Sequence, residues 1–142
     1  MRLTFYGVRG SIPTPGAAYV RYGGNTACVH IELEDGTDII LDSGTGIRLL
    51  GDHLVKKTTP IHLLLSHNHW DHIQGFPFFA PIYQESREIN IYPGLTQLNE
   101  PDQILKQMDG SLFPVSKSAV AHDLASRGSR TRGADPGQPQ TA

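Results

Sequence analysis

Residues 60–66, Pro-Ile-His-Leu-Leu-Leu-Ser, form a nearly continuous apolar run that leads straight into Ser66-His67-Asn68-His69-Trp70-Asp71-His72. The run has the length of a strand, and its lack of alternation predicts one covered on both faces. It is followed by H-x-H-x-D-H, four potential metal ligands in six residues. His67 and His69 lie two apart in extended chain, so their side chains point the same way. Asp71 and His72 follow where a helix should start and can face a second point nearby. Imidazole nitrogen and carboxylate oxygen are ligands that Zn²⁺ accepts, at about 2.0–2.2 Å. Two such ions about 3.5–4 Å apart are a common device for hydrolysis. A lone His is usually a surface or core residue. Three His and one Asp within six residues, at the end of a buried strand, point to metal chemistry instead.

The stretches before this motif read as a β-meander. Residues 2–6 alternate as a short strand and stop at Gly7-Val8-Arg9-Gly10-Ser11, a loop continued by Pro13, Pro15 and Gly16. Over residues 27–34, Val29, Ile31 and Leu33 alternate with Cys28, His30, Glu32 and Glu34, which predicts one buried and one wet face, with His30 exposed. Asp35-Gly36 is a hairpin signal, and residues 38–42 return as the partner strand. The period then changes: Ile47, Leu50 and Leu54 fall on one side of a helix between Ser43 and Val55. After the motif, a short helix near residue 70 is limited by Pro77 and Pro81, and residues 88–92 are a candidate strand. Asn99 as cap and Pro101 in the first turn start a helix with Ile104, Leu105 and Met108 on its apolar side, ended by Gly110. The fold class expected is α/β (α+β): a meander followed by alternating helices and strands.

Residues 125–142 contain no Val, Ile, Leu, Met or aromatic residue, but three Arg, three Gly and two Pro. Such a segment buries too little surface to offset the entropy of ordering it and is expected to be a disordered tail. Elsewhere the composition is globular, with 38 % hydrophobic residues. A formal charge of −2 gives no general reason to expect nucleic-acid or anionic-membrane partners. One cysteine, Cys28, excludes an internal disulfide framework and a structural zinc site built from several thiolates. No apolar run approaches membrane-spanning length and no secretory signal is visible, so a soluble cytoplasmic protein is the default expectation.

Other residues have two readings each. Gly7 to Gly10 with Arg9 could cradle a phosphate or simply turn the chain. Asn25, after Gly23-Gly24, could serve the site or occupy a left-handed turn position. Phe76, Phe78 and Phe79 could wall the site or pack the core. His53 and His62 read as structural, and Cys28 has no nearby base to make it a nucleophile.

Beyond H-x-H-x-D-H, three stretches carry a resemblance: Gly7-Val-Arg-Gly-Ser-Ile-Pro-Thr-Pro-Gly16, Arg21-Tyr-Gly-Gly-Asn-Thr26 and Ile40-Leu-Asp-Ser-Gly-Thr-Gly46. Together with His67 to Phe79, they resemble the metallo-β-lactamase superfamily, in the branch near ribonuclease Z and the phosphoribosyl cyclic phosphodiesterases. The resemblance implies the N-terminal half of an αββα sandwich of two similar halves. It further implies two zinc ions, the first on His67 and His69, the second on Asp71 and His72. Asp71 would also orient the attacking zinc-bound hydroxide, and Asp42 would support the ligands from behind, although a turn or cap before Ser43-Gly44 is an equal reading of Asp42.

The family's remaining ligands come from later in its domain. Here the sole later histidine is His122, whose spacing and Ala-Val-Ala-His-Asp-Leu context do not match, and Asp123 fits no better. Residues 1–124 are thus expected to be a C-terminally truncated domain, as a frameshift or shortened gene would leave, with weak or absent catalysis by this chain alone. The function expected is metal-dependent hydrolysis of a phosphodiester or other small-molecule substrate, with lactam or thioester hydrolysis as the alternative chemistry. A non-catalytic fragment with weak metal binding is the alternative class, and a second copy of the chain could complete the half-sandwich.

Overall fold

The computed structural model describes residues 1–94, 103–120 and 124–126. Within them the elements run β1 (Arg2–Gly7), β2 (Cys28–Glu32), β3 (Asp38–Leu41), α1 (Ile47–Leu54), β4 (Ile61–Leu64), α2 (Trp70–Ile73), β5 (Ile89–Tyr92), α3 (Gln103–Lys106) and β6 (Leu124–Ser126). The strands form one mixed sheet in sequence order, six strands among the described residues. β1, β2 and β3 are antiparallel neighbours, and β3, β4, β5 and β6 are parallel. This is the α/β class the sequence predicts. The β2–β3 turn uses its Asp-Gly signal as expected: Gly36 takes φ 85° and the Thr37 amide donates to Asp35 Oδ1 at 3.0 Å. The expected cap Asn99 and Pro101, as well as His122, Asp123 and the tail from 127 onward, lie outside the described residues.

Parallel β3 and β4 need a crossover, and α1 provides it by burying Ile47, Leu50 and Leu54 against the sheet. On the sheet side the core comprises Cys28, Ile40, Ile61, Leu63, Ile89 and Ile91, with Phe76, Phe79, Ile104 and Met108 packed beside them. Of the three phenylalanines after the motif, Phe76 and Phe79 are therefore core, while Phe78 stays exposed and meets the Phe113 ring edge-on at 5.3 Å.

Two expectations are corrected here. The buried face of β2 carries Cys28 and His30, not Val29 and Ile31; His30 is only 4 % exposed. Alternation separates the two faces of a strand but does not say which one receives the helix. Among the described residues, β4 is covered on one face rather than two, with Ile61 and Leu63 buried and Leu64 exposed. In register, Phe5 pairs with Val29, Val29 with Leu41, and Leu41 with Leu64, so these residues share the other face. There Leu3, Phe5 and Leu64 remain exposed among the described residues.

His30 is accommodated in the core by an ionic network at the start of β3. Fully buried Asp38 meets His30 Nε2 at 2.9 Å, and accepts from Lys57 Nζ at 2.9 Å and Thr59 Oγ1 at 3.0 Å. Lys57 also donates to Glu32 at 2.6 Å. Burial would raise the Asp38 pKa, but the hydrogen bonds from Lys57, His30 and Thr59 outweigh it and hold the carboxyl below its ordinary 3.8. Burial would likewise lower Lys57, yet Glu32 and Asp38 hold it above 10.5. A depressed carboxyl stabilises the fold above its unfolded value, and that stability is lost as pH falls through the folded value. A raised ammonium stabilises below its unfolded value and loses that contribution as pH climbs through the folded value. Urea midpoints should therefore hold between these limits and fall on both sides. Asp38→Asn should cost about 2 kcal/mol at neutral pH and flatten the acid limb; an unchanged acid limb would exclude Asp38 as its source.

Candidate metal centre

The motif lies where β4 ends, at the carboxyl ends of parallel strands, the usual position for a site in such sheets. After Leu65 the chain bends at Ser66 and runs without regular structure to His69, the N-cap of α2, itself extended with ψ 149°. This segment places His67 beside His69, ring centroids 4.4 Å apart. The first turn of α2 then brings back His72, whose ring lies 4.1 Å from that of His67. Asp71 Oδ2 sits 3.5 Å from His72 Nε2. All four residues singled out by spacing thus occupy one small region.

Asp42, directly after β3, faces this region rather than capping α1. Its carboxylate accepts from the Ser66 amide at 2.7 Å and the Ser66 hydroxyl at 2.9 Å, and meets His72 Nδ1 at 2.9 Å. Asp71 is fixed from the other side, its Oδ2 accepting the Ser11 amide at 2.8 Å. That amide bond keeps the Asp71 carboxyl below its usual range, outweighing the opposing effect of burial. Ser11 (φ 70°) and Asp42 (φ 61°) are the two non-glycine residues with positive φ among those described. Both left-handed positions therefore bond to the candidate site, and strain of this kind gathers where surroundings over-determine the backbone. Ser66 and Ser11 were not singled out by sequence. Ser66 is signalled only by its place before the motif, and Ser11 by nothing beyond its glycine-rich loop.

Close backbone contact seals the base of the site. The Ser43 amide donates to the His72 carbonyl at 2.8 Å, and the Gly75 amide to the Ser43 carbonyl at 2.9 Å. A Cβ on Gly75 would strike the Gly44 backbone, and one on Gly44 would strike Thr26 and the Asp71 carbonyl.

The other candidates lie elsewhere. The Val8 and Arg9 amides both donate to the Asn25 carbonyl, so they are already engaged and the turn reading holds for that loop. Positive φ in the following turn falls on Gly23, and the Asn25 side chain accepts from Thr45. His62 stacks on Tyr92 with centroids 5.9 Å apart, and exposed His53 lies 6.1 Å from Tyr6. Burial, with the Asp42 charge adding to it, pushes the Cys28 thiol up to about 12, too high for a nucleophile at neutral pH.

The structure thus sets an Asp/His cluster at the carboxyl edge of a mixed α/β sheet. The family model of the metallo-beta-lactamase superfamily matches residues 21–132, and the chain belongs to that superfamily. Comparison with curated proteins and with solved structures gives no match. Membership suggests metal-dependent hydrolysis in general, and the superfamily usually binds zinc. The residues present fit zinc in donor chemistry: three imidazoles and a carboxylate, with His72 oriented through its Nδ1 by Asp42. As placed, no group of three or more His, Cys, Asp or Glu among the described residues is set to hold a metal ion. Nor is any helix among them long and apolar enough to cross a membrane.

Proposed function

We propose that the chain is a zinc-dependent hydrolase acting on phosphodiesters, of the branch near ribonuclease Z and the phosphoribosyl cyclic phosphodiesterases. The observation that carries the reading is the gathering of His67, His69, Asp71 and His72 in front of Asp42 at the carboxyl edge of the sheet. His67 and His69 would hold one ion, Asp71 and His72 a second. Bound there, zinc supplies Lewis acidity and a nucleophile at neutral pH. Asp71, kept ionised by the Ser11 amide, accepts a hydrogen bond from the attacking water and orients it. Asp42 holds the His72 ring in place. The phosphodiester class is supported by the resemblance of residues 7–16, 21–26 and 40–46 to that branch, the first of these stretches being tied to Asp71 through the Ser11 amide.

The test is turnover of bis(4-nitrophenyl) phosphate by the purified 142-residue chain, with a chromogenic lactam and a thioester beside it and metal content measured in parallel. Chelator-sensitive, zinc-restored cleavage of the phosphodiester, with zinc bound to the chain, supports the reading. Preference for the lactam or thioester would retain the hydrolase class and replace its substrate. The poor match of His122 and Asp123 to the family's later ligands favours a second reading, a chain that binds metal weakly and turns nothing over. Near-zero zinc with no cleavage would select it.

A further inference from the structure

The Ser66 hydroxyl lies within 2.9 Å of both Asp42 oxygens and of His67 Nδ1, and 3.4 Å from His72 Nδ1. It has one proton to give and two lone pairs to receive with. An ionised carboxylate only accepts, and hydrogen bonds to it are roughly twice as strong as neutral ones. The Ser66 proton therefore goes to Asp42, and the Ser66 oxygen is left to accept from His67. From this we infer that Ser66 is a positioning residue that relays the Asp42 carboxylate to His67. One carboxylate thereby fixes the tautomer of two imidazoles. His72 donates Nδ1–H directly to Asp42 at 2.9 Å, and His67 donates Nδ1–H to Ser66. Each ring then keeps Nε2 as its lone-pair nitrogen, the form a metal ion needs, and on His72 that nitrogen faces Asp71 Oδ2 at 3.5 Å. In the opposite arrangement Ser66 would donate to His67, placing an N–H on the metal side of that ring.

This inference rests on the hydrolase reading, because a fixed Nε2 lone pair matters only if these rings hold metal. Its test needs neither metal nor turnover. The ¹⁵N-labelled 142-residue chain, stripped with chelator and held well above the imidazole range near about 6.5, is examined by long-range ¹H–¹⁵N correlation. The wild type should show Nδ1–H on both His67 and His72. Ser66→Ala should shift His67 towards the Nε2–H form, leave His72 unchanged and weaken zinc binding about 10–100-fold. Ser66→Thr, which retains a hydroxyl, should behave as wild type. His67 found as Nε2–H in the wild type overturns the relay without any variant. So does a Ser66→Ala chain with His67 unchanged, with both rings changed together, or with unaltered zinc affinity, and so does a Thr variant that behaves like Ala. A chain with the stated tautomers that cleaves none of the three substrates overturns the hydrolase reading alone. A zinc-dependent hydrolase with His67 as Nε2–H overturns the relay alone.

Discussion

His69→Ala should abolish hydrolysis while leaving the fold intact. His69 is exposed, makes its close ring contact with His67 and stands at the N-cap of α2 without capping it through a side-chain hydrogen bond. Its removal should therefore alter stability by no more than about 0.5 kcal/mol, the usual range for an exposed position. A metal contributes several kcal/mol to charge stabilisation in the transition state. Losing a ligand should consequently lower the rate by at least about a thousandfold, equivalent to about 4 kcal/mol. The measurement is zinc-dependent phosphodiester turnover alongside a urea midpoint. Metal-dependent turnover surviving in the variant would remove His69 from the site.

Gly75→Ala should have the opposite signature, a large loss of stability at a position that carries no chemistry. An added Cβ there meets the Gly44 backbone and the Ile47 side chain at 2.8 Å or less. Backbone cannot move aside as the end of a flexible side chain can. The cost should thus lie at the upper end of overpacking penalties, about 3 kcal/mol, out of a total domain stability of about 5–15 kcal/mol. Gly10→Ala, where the same Cβ meets nothing within 4 Å, is the matched control and should be nearly silent. Urea midpoints of the two variants decide it; equal midpoints would mean that the loop after β3 yields to admit the methyl group. Because Gly44 and Gly75 face one another, substitutions at both should not add.

Much of this arrangement was legible in the sequence because it is local. H-x-H-x-D-H fixes its own geometry through a short segment feeding a helical turn, and the Asp-Gly hairpin and the Ile47/Leu50/Leu54 stripe declare themselves within a few residues. The faces of β2 were not legible. His30 reads as wet until Asp38 is seen opposite it, and that pairing depends on strand register. The two-sided burial expected of β4 failed for a related reason: Leu64 is apolar, but no pattern in its own strand says what lies above it. Asp42 was legible as a candidate but not as a choice between cap and support, which only its approach to Ser66 and His72 distinguishes. Ser11 was invisible because its partner, Asp71, lies 60 residues away.

That last separation also bears on the order in which the chain acquires structure. The β2–β3 hairpin closes through the short 33–37 turn and can form early, since nearby contacts cost little loop entropy, whereas β1 joins it across the longer 8–27 loop. The centre needs three distant stretches at once: Ser11, Asp42 and residues 66–72. Their meeting requires the α1 crossover to be complete and the glycine-tight seam beneath α2 to be shut. The candidate residues 66–72 therefore gather with Ser11 and Asp42 only once the α1 crossover has set β4 beside β3, which makes the assembled cluster a marker of long-range closure rather than of local folding.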